Sequence, residues 1–289
     1  MTKNILITGK TSYIGNQLAD WLAKESEKYK TTKISVRDDK WKKYDFSCYD
    51  TVVHVAGIAH QDTKADQEEL YYKINTDLTI ELAKKAKSEG VKQFIFMSSM
   101  IVYGASSKIG EQKLITKDTI PEPINFYGNS KLLAEENILP LQTNTFNVVA
   151  IRPPMIYGKG SKGNYSLLSK AAQKLVIFPD IDNKRSMLHV DNLTEFIKLM
   201  IVNEEKGVFF PQNEQYVKTS ELVLTISDIY NKRIKLVKIF NPLLRVMSKK
   251  INIVNKIFGN LSYDLELSKY KENYRVRDMA ESIKVTERY

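Results

Sequence analysis

Tyr127 and Lys131 stand four residues apart in Tyr127-Gly128-Asn129-Ser130-Lys131, a spacing that sets two side chains on one face of a helix. A phenol with a pKa of about 10 is a poor acid or base at neutral pH. An ammonium group on the same face stabilises phenolate and draws that pKa toward the working range, as general acid–base catalysis requires. The pair alone is common on surface helices. Its place in the chain gives it weight, because it follows the apolar run Phe94-Ile95-Phe96-Met97 and the pair Ser98-Ser99. Ligands of open α/β sheets bind beyond the carboxyl ends of the strands.

A second candidate opens the chain. The run Ile5-Leu6-Ile7 leads into Thr8-Gly9-Lys10-Thr11-Ser12-Tyr13-Ile14-Gly15 and then an amphipathic stretch. A strand, a tight glycine turn and a helix N-terminus present free N–H groups and a positive dipole end to a pyrophosphate. Two glycines are weak evidence alone, and the strand–turn–helix context strengthens them. Arg37 falls about where a ribose-reading residue belongs. An acidic residue there suits NAD, whereas arginine accommodates a 2′-phosphate, so Arg37 points to NADPH with NAD(H) as the alternative.

These residues need a frame. Short apolar runs at Ile5–Ile7, Ile34–Val36, Val52–Val55, Phe94–Met97 and Val148–Ile151 alternate with helical patterns starting near Ile14, Glu68 and Tyr127. Ile14, Leu18, Trp21 and Leu22 share one helical face, as do Leu78, Leu82 and the Lys85-Ala86 turn. The alternation predicts an α/β fold, a Rossmann-type doubly wound parallel sheet with strands buried on both faces. Residues 1–160 are expected to form the dinucleotide-binding domain, with a segment near 186–205 returning to it. Residues 161–289, looser and marked by Gly163, Pro179 and Pro211, are expected to form mainly a substrate-binding lobe.

Composition narrows the classes. The 289 residues can bury a large core and carry a net charge of +10. No stretch approaches a membrane span and no signal peptide is visible, so the expected address is the cytoplasm, with peripheral contact at the inner membrane face left open. The single cysteine, Cys48, excludes an internal disulfide, and His54, His60 and His189 lack metal-ligand spacing and read as structural. Between Asp228 and Asp264 there is no acidic residue, while Lys232, Arg233, Lys235, Lys238, Arg245, Lys249, Lys250 and Lys256 alternate with apolar residues. The segment 229–263 therefore has the make-up of a weak membrane-surface contact, against the plainer reading of a packed helix with its lysines in water. No nucleic-acid motif accompanies the charge.

The ordered set of motifs resembles the extended short-chain dehydrogenase/reductase family of nucleotide-sugar epimerases, dehydratases and reductases. It comprises Thr8-Gly9 to Gly15, His54-Val55-Ala56-Gly57, Asn75-Thr76, Ser98-Ser99 to Val102-Tyr103-Gly104, Tyr127 to Lys131, Ile151-Arg152-Pro153 and Lys184 to Leu193. The resemblance implies Ser99, Tyr127 and Lys131 as catalytic residues. It implies Gly9, Ser12, Tyr13, Ile14, Gly15, Arg37, Ala56, Gly57, Lys131 and Pro153 as the cofactor site. For the substrate it implies Ser99 at the sugar oxygen, Arg185 at the diphosphate and, more weakly, Asn164. Homodimerisation is compatible with it. Within the family, the phosphate loop and Ile181 to Ser186 resemble bacterial capsule and O-antigen reductases of UDP-4-keto-6-deoxy-N-acetylhexosamines. That narrower resemblance implies an NADPH-dependent 4-ketoreductase acting on a UDP-linked 4-keto-6-deoxy sugar, with a UDP-sugar 4-epimerase as the alternative.

Three departures from the family pattern stand out. Ser12 replaces the middle glycine of the phosphate loop. Asp38 to Asp50 is too short for the usual strand and helix, so one covering helix is expected to be missing. Met155 stands where galactose epimerases often carry asparagine, which weakens the epimerase alternative.

Overall fold

The structure, a computed structural model, describes residues 2–59 and 65–288; His60 lies outside the described residues. Its first strands are β1 (Lys3–Thr8), β2 (Tyr29–Ile34), β3 (Thr51–His54), β4 (Gln93–Met97), β5 (Leu114–Ile115) and β6 (Asn147–Ile151). They are followed by β7 (Met155–Tyr157), β8 (Ile177–Pro179), β9 (Met187–His189), β10 (Gly207–Phe209), β11 (Lys235–Val237) and β12 (Ser262–Tyr263). The helices of the first half are α1 (Tyr13–Leu22), α2 (Glu68–Tyr71), α3 (Leu78–Ser88) and α4 (Phe126–Ile138). Those of the second are α5 (Asn164–Lys174), α6 (Val190–Val202), α7 (Thr219–Ile229), α8 (Asn241–Ser248), α9 (Asn252–Phe258) and α10 (Met279–Glu287). No helix among the described residues is long and apolar enough to cross a membrane.

The chain divides into two compact units. The first takes residues 1–104, 121–153 and 193–211, and the second takes 105–120, 154–192 and 212–289. The first unit therefore ends its central run at Pro153 rather than at residue 160, and its returning segment is 193–211 rather than 186–205. Residues 105–120 leave it for the second unit.

The first unit is built on a six-stranded parallel sheet in the order β10-β6-β4-β3-β1-β2. Ile5, Leu6, Ile7, Val52, Val53, Phe94, Ile95 and Phe96 are fully buried, as strands covered on both faces require. The second strand departs from the expected Ile34–Val36. It runs Tyr29–Ile34 in register with Lys3–Thr8, and it lies at the sheet edge. Its alternation of Lys30, Thr31, Thr32 and Lys33 suits a half-exposed edge, which no apolar run announces. Beyond it the short Asp38–Asp50 connection holds one 3₁₀ turn, Asp39–Lys43, with Trp41 buried beneath it. The usual strand and covering helix are both absent from this connection.

The second unit has its own core around Tyr157, Tyr165, Leu168, Ala172, Val223, Ile226 and Phe258. Its strands pair only two by two, β11 with β8, β12 with β5 and β7 with β9, each pair parallel.

Candidate active site

Two loops meet where the strand order of the first unit reverses, between β1 and β3. Gly9 follows β1 with φ +115°, a backbone conformation that disfavours side chains. A Cβ there would come within 3.0 Å of the Ala56 nitrogen in the loop after β3. A Cβ on Gly15 would meet Val55 and Ile7 at 3.0 and 3.1 Å, so this glycine lets α1 lie close on the sheet. Ser12, in place of the middle glycine, caps α1: its Oγ accepts from the Gly15 N–H at 3.4 Å. The turn thus offers the N-terminus of α1, with Tyr13 and Ile14 in its first turn, toward the crevice of the switch point, which suits a pyrophosphate. Arg37 is exposed, and its guanidinium donates to Thr11 Oγ1 in the same loop at 3.1 Å.

The catalytic helix is positioned from two sides. Asn125 caps α4, its Oδ1 accepting from the Gly128 N–H at 2.8 Å, which starts the helix one residue before Tyr127. Gly128 has no room for a side chain, because a Cβ would lie 2.9 Å from the Ile101 carbonyl and 2.7 Å from Pro123. On the other side stands Asn75, fully buried in a π-helical stretch, Tyr72–Asp77, between α2 and α3. Its Oδ1 accepts from Ile58 N–H at 2.9 Å, and its Nδ2 donates to Ile58 O and Ser130 Oγ, each at 3.1 Å. Thr76 Oγ1 donates to the Ser130 carbonyl at 2.7 Å. One asparagine thereby ties the loop after β3 to the helix that carries Tyr127 and Lys131.

Lys131 is buried and its Nζ donates to the Met97 carbonyl at the end of β4, 2.9 Å away. A Cβ on Gly57 would sit 3.2 Å from that Nζ and 3.0 Å from Asn75 Oδ1, so glycine lets the loop after β3 lie close on both side chains. Burial lowers the lysine pKa to about 8, with Glu135 opposing. Tyr127 is half-buried and packs edge-on against Tyr71, ring centroids 6.0 Å apart. Burial pushes its pKa up to about 12 while the Ser99 hydroxyl pulls it down. In this state the phenol is a proton donor, and Lys131 is not among the groups that set its pKa. The net direction is upward, opposite to the lowering expected from the four-residue spacing. Ser99 lies just past β4, its Oγ accepting from Ile101 N–H at 3.3 Å. Pro153 lies at the matching end of β6, and its carbonyl accepts from Met100 N–H at 2.9 Å.

Beneath these groups lies a buried network whose centre, Glu135, motif reading passed over. Glu135, one further helical turn beyond Lys131, is 1% exposed. It accepts from Ser98 Oγ and binds the Arg152 guanidinium at 2.5 to 3.2 Å. Arg152 also donates to the Tyr103 hydroxyl at 2.6 Å. The i, i+4, i+8 series Tyr127, Lys131, Glu135 was the available signal.

His54 and His189 are both buried. His54 lies between Phe94 and Phe96, with its nitrogens 2.6 and 3.0 Å from Thr8 Oγ1 and Thr79 Oγ1.

The second unit holds the two remaining candidates. Arg185 is 8% exposed; its Nη1 donates to the Gly259 carbonyl at 2.9 Å and to Ser106 Oγ at 3.2 Å. Burial lowers its pKa to about 10, and no carboxylate pairs with it among the described residues. A buried guanidinium held only by neutral acceptors retains its capacity for an anion. Asn164 opens α5, directly after Gly163 at φ +111°.

Residues 5–211 match the NAD dependent epimerase/dehydratase family. A UDP-glucose 4-epimerase of Vibrio cholerae is 30% identical over 93% of this chain and 89% of its own length. An N-acetyl-alpha-D-glucosaminyl-diphospho-ditrans,octacis-undecaprenol 4-epimerase of Escherichia coli O157:H7 is 30% identical over 90% of this chain and 82% of its own. The fold matches that of a UDP-glucuronic acid 4-epimerase from Bacillus cereus in complex with NAD, with TM-score 0.75 and 18% identity over 99% of this chain and 98% of that one.

Proposed function

This chain belongs to the NAD dependent epimerase/dehydratase family, and from that premise we propose that it inverts carbon 4 of a diphosphate-linked N-acetylhexosamine. The observation that carries this reading is the match to two 4-epimerases at 30% identity across at least 90% of the chain. It reverses the order in which sequence alone ranked the reactions, which placed the 4-ketoreductase first. Met155 counted against an epimerase, yet the likeness to two of them extends well past it.

The tight glycine turn at Gly9, the N-terminus of α1 behind it and the close approach of Gly57 to Lys131 fit a bound dinucleotide. A dinucleotide held there would supply the acceptor and donor for the hydride of the sugar carbon. The chain's own groups manage the proton and the position. Tyr127 takes the hydroxyl proton of carbon 4 and gives it back to the same oxygen after the ring has turned. Ser99 hydrogen-bonds that oxygen beside the phenol. Lys131, once its ammonium turns from the Met97 carbonyl toward the phenol, would make phenolate accessible, and Arg185 takes the diphosphate as an anion partner. The carrier of the diphosphate is UDP or a polyprenol, the two kinds named among the relatives.

A second reading, the NADPH-dependent reduction of a UDP-4-keto-6-deoxy-N-acetylhexosamine, keeps one observation in its favour. Arg37 is exposed at the phosphate loop, where a 2′-phosphate would be met. The purified chain is to be incubated with UDP-N-acetylglucosamine, without added cofactor, and the products resolved by NMR. Conversion to the galacto isomer supports the epimerase. No conversion, together with NADPH consumption on the 4-keto sugar, overturns it in favour of the reductase.

A further inference from the structure

Helix α8 is apolar on two sides. Leu244 and Met247 turn inward against the core of the second unit, and Ser248 is buried with them. Leu243 and Val246 turn outward and are 59% and 65% exposed. Ile239 and Phe240 precede them at helical spacing and are exposed at 79% and 44%. After the helix, Ile251 and Ile253 are also exposed. A helix of a water-facing lobe needs one apolar stripe, and this one has a second.

The charge around the second stripe has one sign. Lys232, Arg233, Lys235, Lys238, Arg245, Lys249, Lys250 and Lys256 are all exposed, and none pairs with a carboxylate among the described residues. Two other lysines of the same unit do find partners: Lys218 reaches Asp180 at 2.9 Å and Lys269 reaches Glu266 at 2.7 Å. The lysines of this face are thus left cationic by a sequence without acid from Lys232 to Tyr263.

We propose that the outward face of α8, with Ile239, Phe240 and the start of α9, docks on an anionic lipid surface. The apolar stripe would enter the boundary between headgroups and acyl chains, and the surrounding cations would meet the headgroup phosphates. The area is small and each term is weak, so binding is reversible and salt-sensitive. The proposal does not depend on the reaction assigned above; where the sugar is borne on a polyprenol, the surface brings the enzyme to it.

The full chain is sedimented with vesicles of phosphatidylcholine, alone or mixed with phosphatidylglycerol, at low and high salt. Pelleting with the anionic vesicles at low salt, at least about ten-fold weaker with neutral vesicles, is the expected result. Leu243→Glu/Val246→Glu should abolish it, and Lys249→Glu/Lys250→Glu should weaken it about ten-fold. Circular dichroism and the conversion rate on a UDP-sugar check that both variants remain folded. Absence of pelleting by the parent chain overturns the proposal, as does equal pelleting by the folded variants. A parent dimer that becomes monomeric in the Leu243→Glu/Val246→Glu variant, without vesicle binding by either, assigns the face to a second copy instead.

Discussion

The two units solve the same problem, holding polar groups in a dry interior, by different means. In the first, one parallel sheet of six strands orders the backbone, and side-chain networks such as that of Glu135, Ser98 and Arg152 gather near its strand ends. In the second, strands pair only in twos, and buried side chains take over the work of the sheet. Gln212 is the clearest case. Its Oε1 accepts from Ser186 Oγ at 2.5 Å and its Nε2 donates to Ser268 Oγ at 2.8 Å, while its backbone carbonyl accepts from the Tyr274 hydroxyl at 2.9 Å. Asn260 joins Lys184 N–H to the Glu111 carbonyl in the same fashion, at 2.6 and 2.7 Å. A sheet leaves its strand ends available for chemistry, whereas a lobe knit by amides commits its polar groups to structure. The difference predicts that polar substitutions in the first unit divide into chemical and structural ones, while those in the second are mostly structural.

The sharpest division is between two tyrosines. Tyr127→Phe in the first unit removes the proton carrier but no fold-defining contact. Turnover should fall roughly 10²–10⁴-fold with the melting temperature and cofactor retention unchanged. Tyr157→Phe in the second unit removes hydrogen bonds to Ser282 at 2.5 Å and Asn213 at 3.0 Å. It should lower the melting temperature and leave turnover of the folded enzyme nearly intact. Steady-state kinetics with thermal unfolding on both variants tests the division, and a Tyr157→Phe enzyme as inactive as Tyr127→Phe would abolish it.

Glu135 crosses that division, being structural and within reach of the chemistry. Removing one partner of a buried ion pair leaves the other charge uncompensated, so Glu135→Ala should cost about 3–5 kcal/mol by urea unfolding. Glu135 also raises the pKa of Lys131, which lies at about 8. The milder Glu135→Gln should therefore move the alkaline fall in turnover to lower pH, because Lys131 would lose its proton sooner. An unchanged pH profile in a folded Glu135→Gln enzyme would confine the residue to a structural role.

Gln212→Ala is the counterpart in the second unit. It strands Ser186 and Ser268, both buried, and should cost about 1–3 kcal/mol with no shift in any pH profile. Unfolding in urea and the turnover profile read the two halves of this expectation.

The same contrast explains what the sequence disclosed. Strands buried on both faces announce themselves as apolar runs, so β1, β3, β4 and β6 were legible, and the short Asp38–Asp50 segment disclosed its missing helix by length alone. Strand β2 was misplaced because an edge strand keeps polar residues on its open face. Ser99, two residues past β4, and the Tyr127/Lys131 pair at the start of α4 were proposed from order and spacing. Glu135 and Gln212 were not, and the motif Asn75-Thr76 did not disclose what Asn75 ties together, because each acts through partners far along the chain, such as Arg152, Ser268 and Ile58. The passage of residues 105–120 into the second unit was hidden for the same reason, since it rests on distant partners such as Asn260.

The smallest expected effect compares the two buried histidines. Burial is the main cause of depression in each, holding His54 at about 3 and His189 at about 4; Lys131 adds to it at His54, whereas Asp191 opposes it at His189. Both rings are neutral in the fold near neutrality, while in the unfolded chain they take up a proton around pH 6.5. A folded pKa below the unfolded one means that the unfolded state binds more protons, so stability is full above about pH 6.5 and declines as pH falls toward the folded values. Each histidine should thus withdraw about 0.7 kcal/mol between pH 7 and pH 6. His54→Gln loses the bonds to Thr8 and Thr79 and is expected to be less stable at pH 7. Its urea midpoint should nevertheless fall less than that of the parent over the same interval, because one of the two proton traps of the unfolded state has gone. If parent and variant lose stability equally between pH 7 and pH 6, His54 is not the group whose protonation is suppressed by folding, and the acid sensitivity must be sought in the second unit, at His189.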